Sequence, residues 1–151
     1  WRQTAALAVD MESSMIIEWA ATLGIPAAVV RGVADTAVRG VPALFAEALA
    51  ALYELIGGGE TGEPERRELE LVASDRALLL ADWLGELVFL AEMEQFVAER
   101  VVTLTFDGFR LCATVEGRRG KPPHLVKAIT LSGLDVRQEG GTWHGHVVLD
   151  V

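Results

Sequence analysis

Asp107-Gly108 separates two alternating runs, RVVTLTF (100–106) and FRLCATVE (109–116). An Asp-Gly step between such runs is a strong signal for two antiparallel strands joined by a tight turn. Gly140-Gly141 plays the same part ahead of TWHGHVVLDV (142–151), with LVKAITLS (125–132) as the strand before it, and ELELVA (68–73) alternates in the same way. Between these runs, Ser74 or Asp75 is placed to cap a long helix whose apolar stripe is Leu78, Leu79, Trp83, Leu87, Leu90 and Ala91. Helix followed by antiparallel strands is an α+β pattern, with helices packed on a mostly antiparallel sheet.

Upstream, the pattern changes. A short buried strand at 5–9 is followed by a helix capped by Asp10, with Met11, Met15, Ile16, Trp19, Ala20 and Leu23 on one face, ended by Gly24 and Pro26. AAVVRGV (27–33) then reads as a second strand, so residues 1–42 have the form of a strand-helix-strand α/β unit of the size of a parallel crossover. Ligands of open parallel sheets bind beyond the carboxyl ends of the strands, and Glu12 and Asp35 both follow such an end. Pro42 opens another helix, with Leu44, Phe45, Ala48, Leu49, Leu52 and Ile56 at helical spacing. Gly57, Gly58 and Gly59 stop it, and the acidic stretch GGGETGEPERRE (57–68) reads as a flexible loop.

A chain of 151 residues with 51% hydrophobic and 23% charged residues holds one ordinary domain with an appendage, and no apolar run is long enough to span a bilayer. The formal net charge of −9 and the scattered basic residues argue against a broad phosphate-tracking surface. A lone cysteine, Cys112, forms no internal disulfide, and its alternating surroundings predict a reduced core residue in a cytoplasmic protein. The chain begins at Trp1 rather than Met, which leads to the expectation that its natural N-terminus lies further upstream. GRRGK (117–121) reads as a solvated basic hairpin loop.

Two groups of residues carry possible chemistry. An acid near a purine N7 eases departure of the base, and a second carboxylate accepts from ribose hydroxyls; Asp35 and Glu12 supply one of each, although a turn residue and a helix-start acid look the same. On the last strand, alternation puts His144, His146, Val148 and Asp150 on one face. Two imidazoles with a carboxylate could ligate a transition metal, but a solvated face has the same pattern. Asp150 beside the carboxylate of Val151 offers two oxygens to a hard divalent cation, Ca²⁺ or Mg²⁺/Mn²⁺.

AVDMESSMIIEWAATLGIPAAVVRGVADTA, within residues 3 to about 42, resembles the C-terminal part of the nucleoside phosphorylase and nucleosidase family, closest to its hopanoid-associated branch. That resemblance implies that Met11 packs on ribose, Glu12 binds its hydroxyls and Asp35 bonds the purine N7 as the catalytic acid. PALFAEALAALYEL, VASDRALLLADWLGELVFLAEMEQFV, KAITLSGLDV and the terminal VVLDV, within residues 43–151, resemble archease. This second resemblance implies a small, non-enzymatic α+β protein that promotes turnover of an RNA ligase in tRNA splicing and RNA repair. It makes Asp150 and Val151 ligands of a divalent cation, places Lys127 and Thr130 in a Lys-Ala-x-Thr strand, and puts Glu86 on the central helix. Archeases open with Asp-His-Thr-Ala-Asp; ADTAV here has Asp35 in place of the histidine and Val38 in place of the acidic ligand, while Leu131 and Ser132 replace an aromatic residue and a histidine.

The expected function is that of a cytoplasmic, metal-binding archease-like partner of an RNA ligase, with residues 1–42 as a phosphorylase-like fragment and 43–151 as the archease-like domain. The alternatives are a nucleosidase fragment and a fusion whose strand AAVVRGV completes the archease sheet. A strand sliding into that vacant edge would make Asp35 a further metal ligand beside Asp150.

Overall fold

The structure, a computed structural model, describes residues 40–151 and the backbone of 27–35. The expected strand at 5–9, the helix from Asp10, and Met11 and Glu12 lie outside the described residues. The elements are β1 (Ala27–Asp35), α1 (Gly40–Ile56), β2 (Glu60–Val72), α2 (Arg76–Met93), β3 (Phe96–Asp107), β4 (Arg110–Gly120), β5 (Ala128–Glu139) and β6 (Thr142–Asp150). They form two three-stranded sheets, ordered β1-β6-β5 and β2-β4-β3, and every described ladder is antiparallel. This is the expected α+β class.

The turns follow from local chemistry. Asp107 pairs with Arg110 across Gly108 and Phe109, and Gly108 takes φ 61°. Glu139 pairs with Thr142 across Gly140 and Gly141, at φ 57° and 82°, the left-handed pair that a two-residue hairpin needs. Asp75 rather than Ser74 caps α2, its carboxylate accepting from the Leu78 N–H at 2.9 Å.

Both helices touch both sheets: α1 packs on β1, β6 and β3, and α2 packs on β5, β3, β2 and β6. The six residues expected to form the buried stripe of α1 are all buried; of the six expected in α2, Leu79, Trp83, Leu87, Leu90 and Ala91 are buried, while Leu78 is only partly so and Leu80, Ala81 and Leu84 join the core instead. Trp83 lies at the centre with no exposed surface, and its indole N–H donates to the carbonyl of Phe45 in α1 at 3.0 Å. The Phe45 ring lies edge-on to Phe106 of β3, with centroids 5.0 Å apart. On the other side, β6 comes so close to the helices that a Cβ on Gly145 would stand 3.0 Å from a methyl of Leu80 and 3.2 Å from one of Leu44.

Three local expectations are corrected. The acidic stretch 57–68 is not a flexible loop. It becomes strand at Glu60, and Arg66 to Val72 pair continuously with β4. Its charges are matched across strands, Glu65 with Arg119, Arg66 with Glu116 and Glu70 with Arg110. Arg66 and Arg100 both bond the carboxylate of Glu116 and hold it below the usual carboxylate range; Arg119 and then Arg67 do the same for Glu65. Partners this far apart in sequence leave no mark on local composition.

GRRGK is likewise not a hairpin loop, since Gly117 to Gly120 are the end of β4. Gly117 faces a register shift in β3, where an added Cβ would sit 2.1 Å from the carbonyl oxygen of Val97. Cys112 is exposed rather than in the core. Leu111, Ala113 and Val115 take the inward phase of β4, so the residues between them face outward.

Replacing Trp83 by Phe deletes the hydrogen bond to Phe45 and leaves unfilled volume in the core. Urea denaturation should show a loss of about 1–3 kcal/mol. A loss below about 0.5 kcal/mol would mean that the indole does not hold α1 in place.

Candidate functional site

β6 is the middle strand of its sheet, and it carries candidate residues to opposite ends. At its C-terminal end, Asp150 lies between Ala27 of β1 and Ala128 of β5. The Lys127 N–H donates to the Asp150 carbonyl at 2.7 Å, and the Lys127 ammonium donates to the Val151 carbonyl oxygen at 3.3 Å. The sheet therefore brings Asp150, Val151 and Lys127 together. Thr130 is opposite Val148, one alternation further along, and Glu86 is on α2 next to Gly85, where the helix passes over Ile129.

Asp35 does not join this group. It is opposite Thr142, while Ala27 is opposite Asp150, so eight residues of strand separate Asp35 from that end of the sheet. At about 3.3 Å per residue, the separation is roughly 26 Å. Shared coordination by Asp35 and Asp150 is thereby contradicted. The strand did fill an edge of the sheet, but an antiparallel strand that enters beside Asp150 must leave at the far end.

Whether a divalent cation fits at Asp150 and Val151 is decided by the donor set. Hard cations take six or more oxygens in the case of Ca²⁺ and an octahedron in the case of Mg²⁺. Among the described residues no three His, Cys, Asp or Glu side chains form a group able to hold a metal ion, and the nearby Lys127 ammonium already engages a Val151 oxygen. The described residues do not make a complete cation site. The same holds for the histidines: His146 Nδ1 lies 2.7 Å from the Gly133 carbonyl, and His146 and His144 are opposite Asp135 and Arg137. Arg137 pairs with both Asp135 and Glu139, so that face is an ion-paired and hydrogen-bonded surface.

On the outer face of β2-β4-β3 there is an open depression of about 310 Å³, with Glu68, Glu70, Thr103, Thr105, Cys112 and Thr114 along it. Glu70 is opposite Cys112 and Glu68 opposite Thr114, which leaves hydroxyls and a thiol with carboxylates but no imidazole to activate them.

The opposite end of the molecule holds a group that sequence reasoning missed. Arg76, the first residue of α2, has its guanidinium carbon 5.1 Å from the ring centroid of Trp143 at the start of β6 and 5.8 Å from that of Phe109 at the β3–β4 turn. Arg66, Arg67, Arg100, Arg110, Arg118, Arg119 and Arg137 each pair with a carboxylate. Arg76 pairs with none among the described residues. One signal was available in the sequence. A cation at the first position of a helix opposes the helix dipole, and the first turn of α2 contains no acid.

Comparison with known proteins places this geometry. The Archease protein family model matches residues 32–151, from within β1 to the end of β6. Protein archease of Pyrobaculum neutrophilum is 31% identical over 117 residues, covering 71% of this chain and 80% of that protein. Its counterpart in Methanothermobacter thermautotrophicus is 30% identical over 116 residues, covering 72% and 83%. The crystal structure of an archease from Thermotoga maritima superposes with a TM-score of 0.59 at 17% identity, covering all of this chain and 98% of the other. The solution structure of a Methanobacterium thermoautotrophicum protein gives a TM-score of 0.58 at 23% identity, covering 83% and 92%. With the family model matching residues 32–151 and these relatives 30% and 31% identical over most of their length, the chain belongs to the Archease protein family.

Proposed function

We propose that this chain is a non-enzymatic accessory protein that docks on an RNA ligase and promotes its turnover in tRNA splicing or RNA repair, in the cytoplasm. The observation that carries this reading is the family match over residues 32–151. The resemblance of residues 3–42 to nucleoside phosphorylases enters the reading as an origin for β1 rather than as an activity. The Asp35 strand is committed to pairing with β6.

A divalent cation at Asp150 and Val151 is, in this reading, a weak and exchangeable ligand. Calorimetric titration with Ca²⁺ or Mn²⁺ should give a dissociation constant of about 0.1–1 mM, lost in Asp150→Ala. Micromolar affinity would contradict it by requiring a full ligand set.

The accessory role itself is tested by multiple-turnover ligation. With the RNA ligase held well below its RNA substrate, adding this chain should raise ligated product several-fold above the amount of ligase present. Equal product with and without the chain would sink the reading.

A further inference from the structure

We propose that Arg76, held between Phe109 and Trp143, is the contact that recognises a carboxylate side chain on the protein partner. The inference rests on the docking role proposed above and names the surface that performs it.

The charge balance makes this arginine unusual. The chain has 22 acidic against 13 basic residues, so carboxylates are plentiful. The other arginines among the described side chains have all found one, and some of their acids serve two: Glu116 takes Arg66 and Arg100, and Glu65 takes Arg67 and Arg119. The acid next to Arg76 in sequence, Asp75, uses its carboxylate on the Leu78 N–H. No hydrogen bond from the Arg76 guanidinium is made to any described residue.

Arg76 is nevertheless held in place. Two rings within about 6 Å of a guanidinium attract it through their π faces and restrict its side chain before any ligand arrives. A planar, always-charged fork fixed in this way presents N–H groups suited to bidentate capture of a carboxylate, and little side-chain entropy is left to lose on binding.

The surroundings fit a protein contact. Phe109 is 44% exposed and Val72 65% exposed, and Ala73, the residue after Val72, donates its N–H to the Phe109 carbonyl. An arginine with two aromatic rings and an apolar rim has the composition of an interface hot spot. A net charge of −9 disfavours a polyanion on the same surface, whereas one acidic side chain flanked by apolar groups carries little long-range repulsion. The ligand class is therefore an Asp or Glu of a folded partner rather than an RNA backbone.

The test is binding of the full chain to the RNA ligase, measured by biolayer interferometry, with thermal melts confirming that each variant folds. Arg76→Glu and Arg76→Gln should weaken binding on the order of tenfold to a hundredfold. Phe109→Ala should weaken it less, and Arg137→Glu, whose arginine pairs within its own strand, should bind as wild type. A Glu→Lys or Asp→Lys change on the ligase that restores binding to Arg76→Glu would identify the partner carboxylate. If Arg76→Gln folds and binds as tightly as wild type, the site is overturned while the docking role stands. If a short RNA oligonucleotide binds the wild-type chain and loses that binding in Arg76→Gln, the carboxylate assignment is overturned. If the wild-type chain does not bind the ligase, the docking role falls and this site falls with it.

Discussion

The indole N–H of Trp83 reaching the Phe45 carbonyl is the interaction on which the rest of the arrangement depends. It joins the two helices at a point where both are fully buried, and the carbonyl it uses belongs to the helix that follows β1 directly. A buried indole without a partner would cost of the order of 1–3 kcal/mol, so the pairing sets both the depth and the rotation of α2 against α1. From there the constraints spread outward. Phe45 meets Phe106 of one sheet, while Leu44 and Leu80 close over Gly145 of the other. A single buried polar contact thus sets the position of both helices against both sheets.

The two sheets are stabilised differently. β1-β6-β5 is ordered by apolar packing along β6, where Val147, Val148 and Leu149 are buried. β2-β4-β3 has an apolar inner face and an outer face of cross-strand ion pairs, with Glu116 between two arginines. Exposed pairs of this kind contribute modestly to stability. Their larger effect is on register, since shifting β4 by one residue would move Glu116 away from its places opposite Arg66 and Arg100 and turn Leu111, Ala113 and Val115 to solvent. This explains how a stretch as polar as ETGEPERRE can be an ordered strand.

Much of the fold was legible in the sequence. The Asp107-Gly108 and Gly140-Gly141 turns, the buried stripe of α1, that of α2 apart from Leu78, and the α+β class depend on local spacing, and they are where the spacing put them. The misreadings share one physical cause. Residues 57–68, the basic stretch at 117–121 and Cys112 all owe their state to cross-strand neighbours distant in sequence. The candidate site was legible in part. Asp150 and Val151 are neighbours in sequence, while the presence of Lys127 beside them and the place of Asp35 depend on strand pairing and direction, which no local pattern specifies. Arg76 was missed because its significance lies in two rings from other strands and in the absence of an acid among the described residues.

What emerges is a family member whose acids do not converge. One end of β6 carries Asp150 and Val151 with a lysine, the other has Asp35 opposite Thr142, and the half-buried Arg76 packs on Trp143 beside that second end. That separation is tested most directly by electron–electron spin distance measurement on a Cys112→Ser chain labelled at Asp35→Cys and Asp150→Cys. The antiparallel register predicts a distribution centred near 26 Å, allowing for label length. A centre below about 15 Å would contradict the account and restore Asp35 to the terminal group.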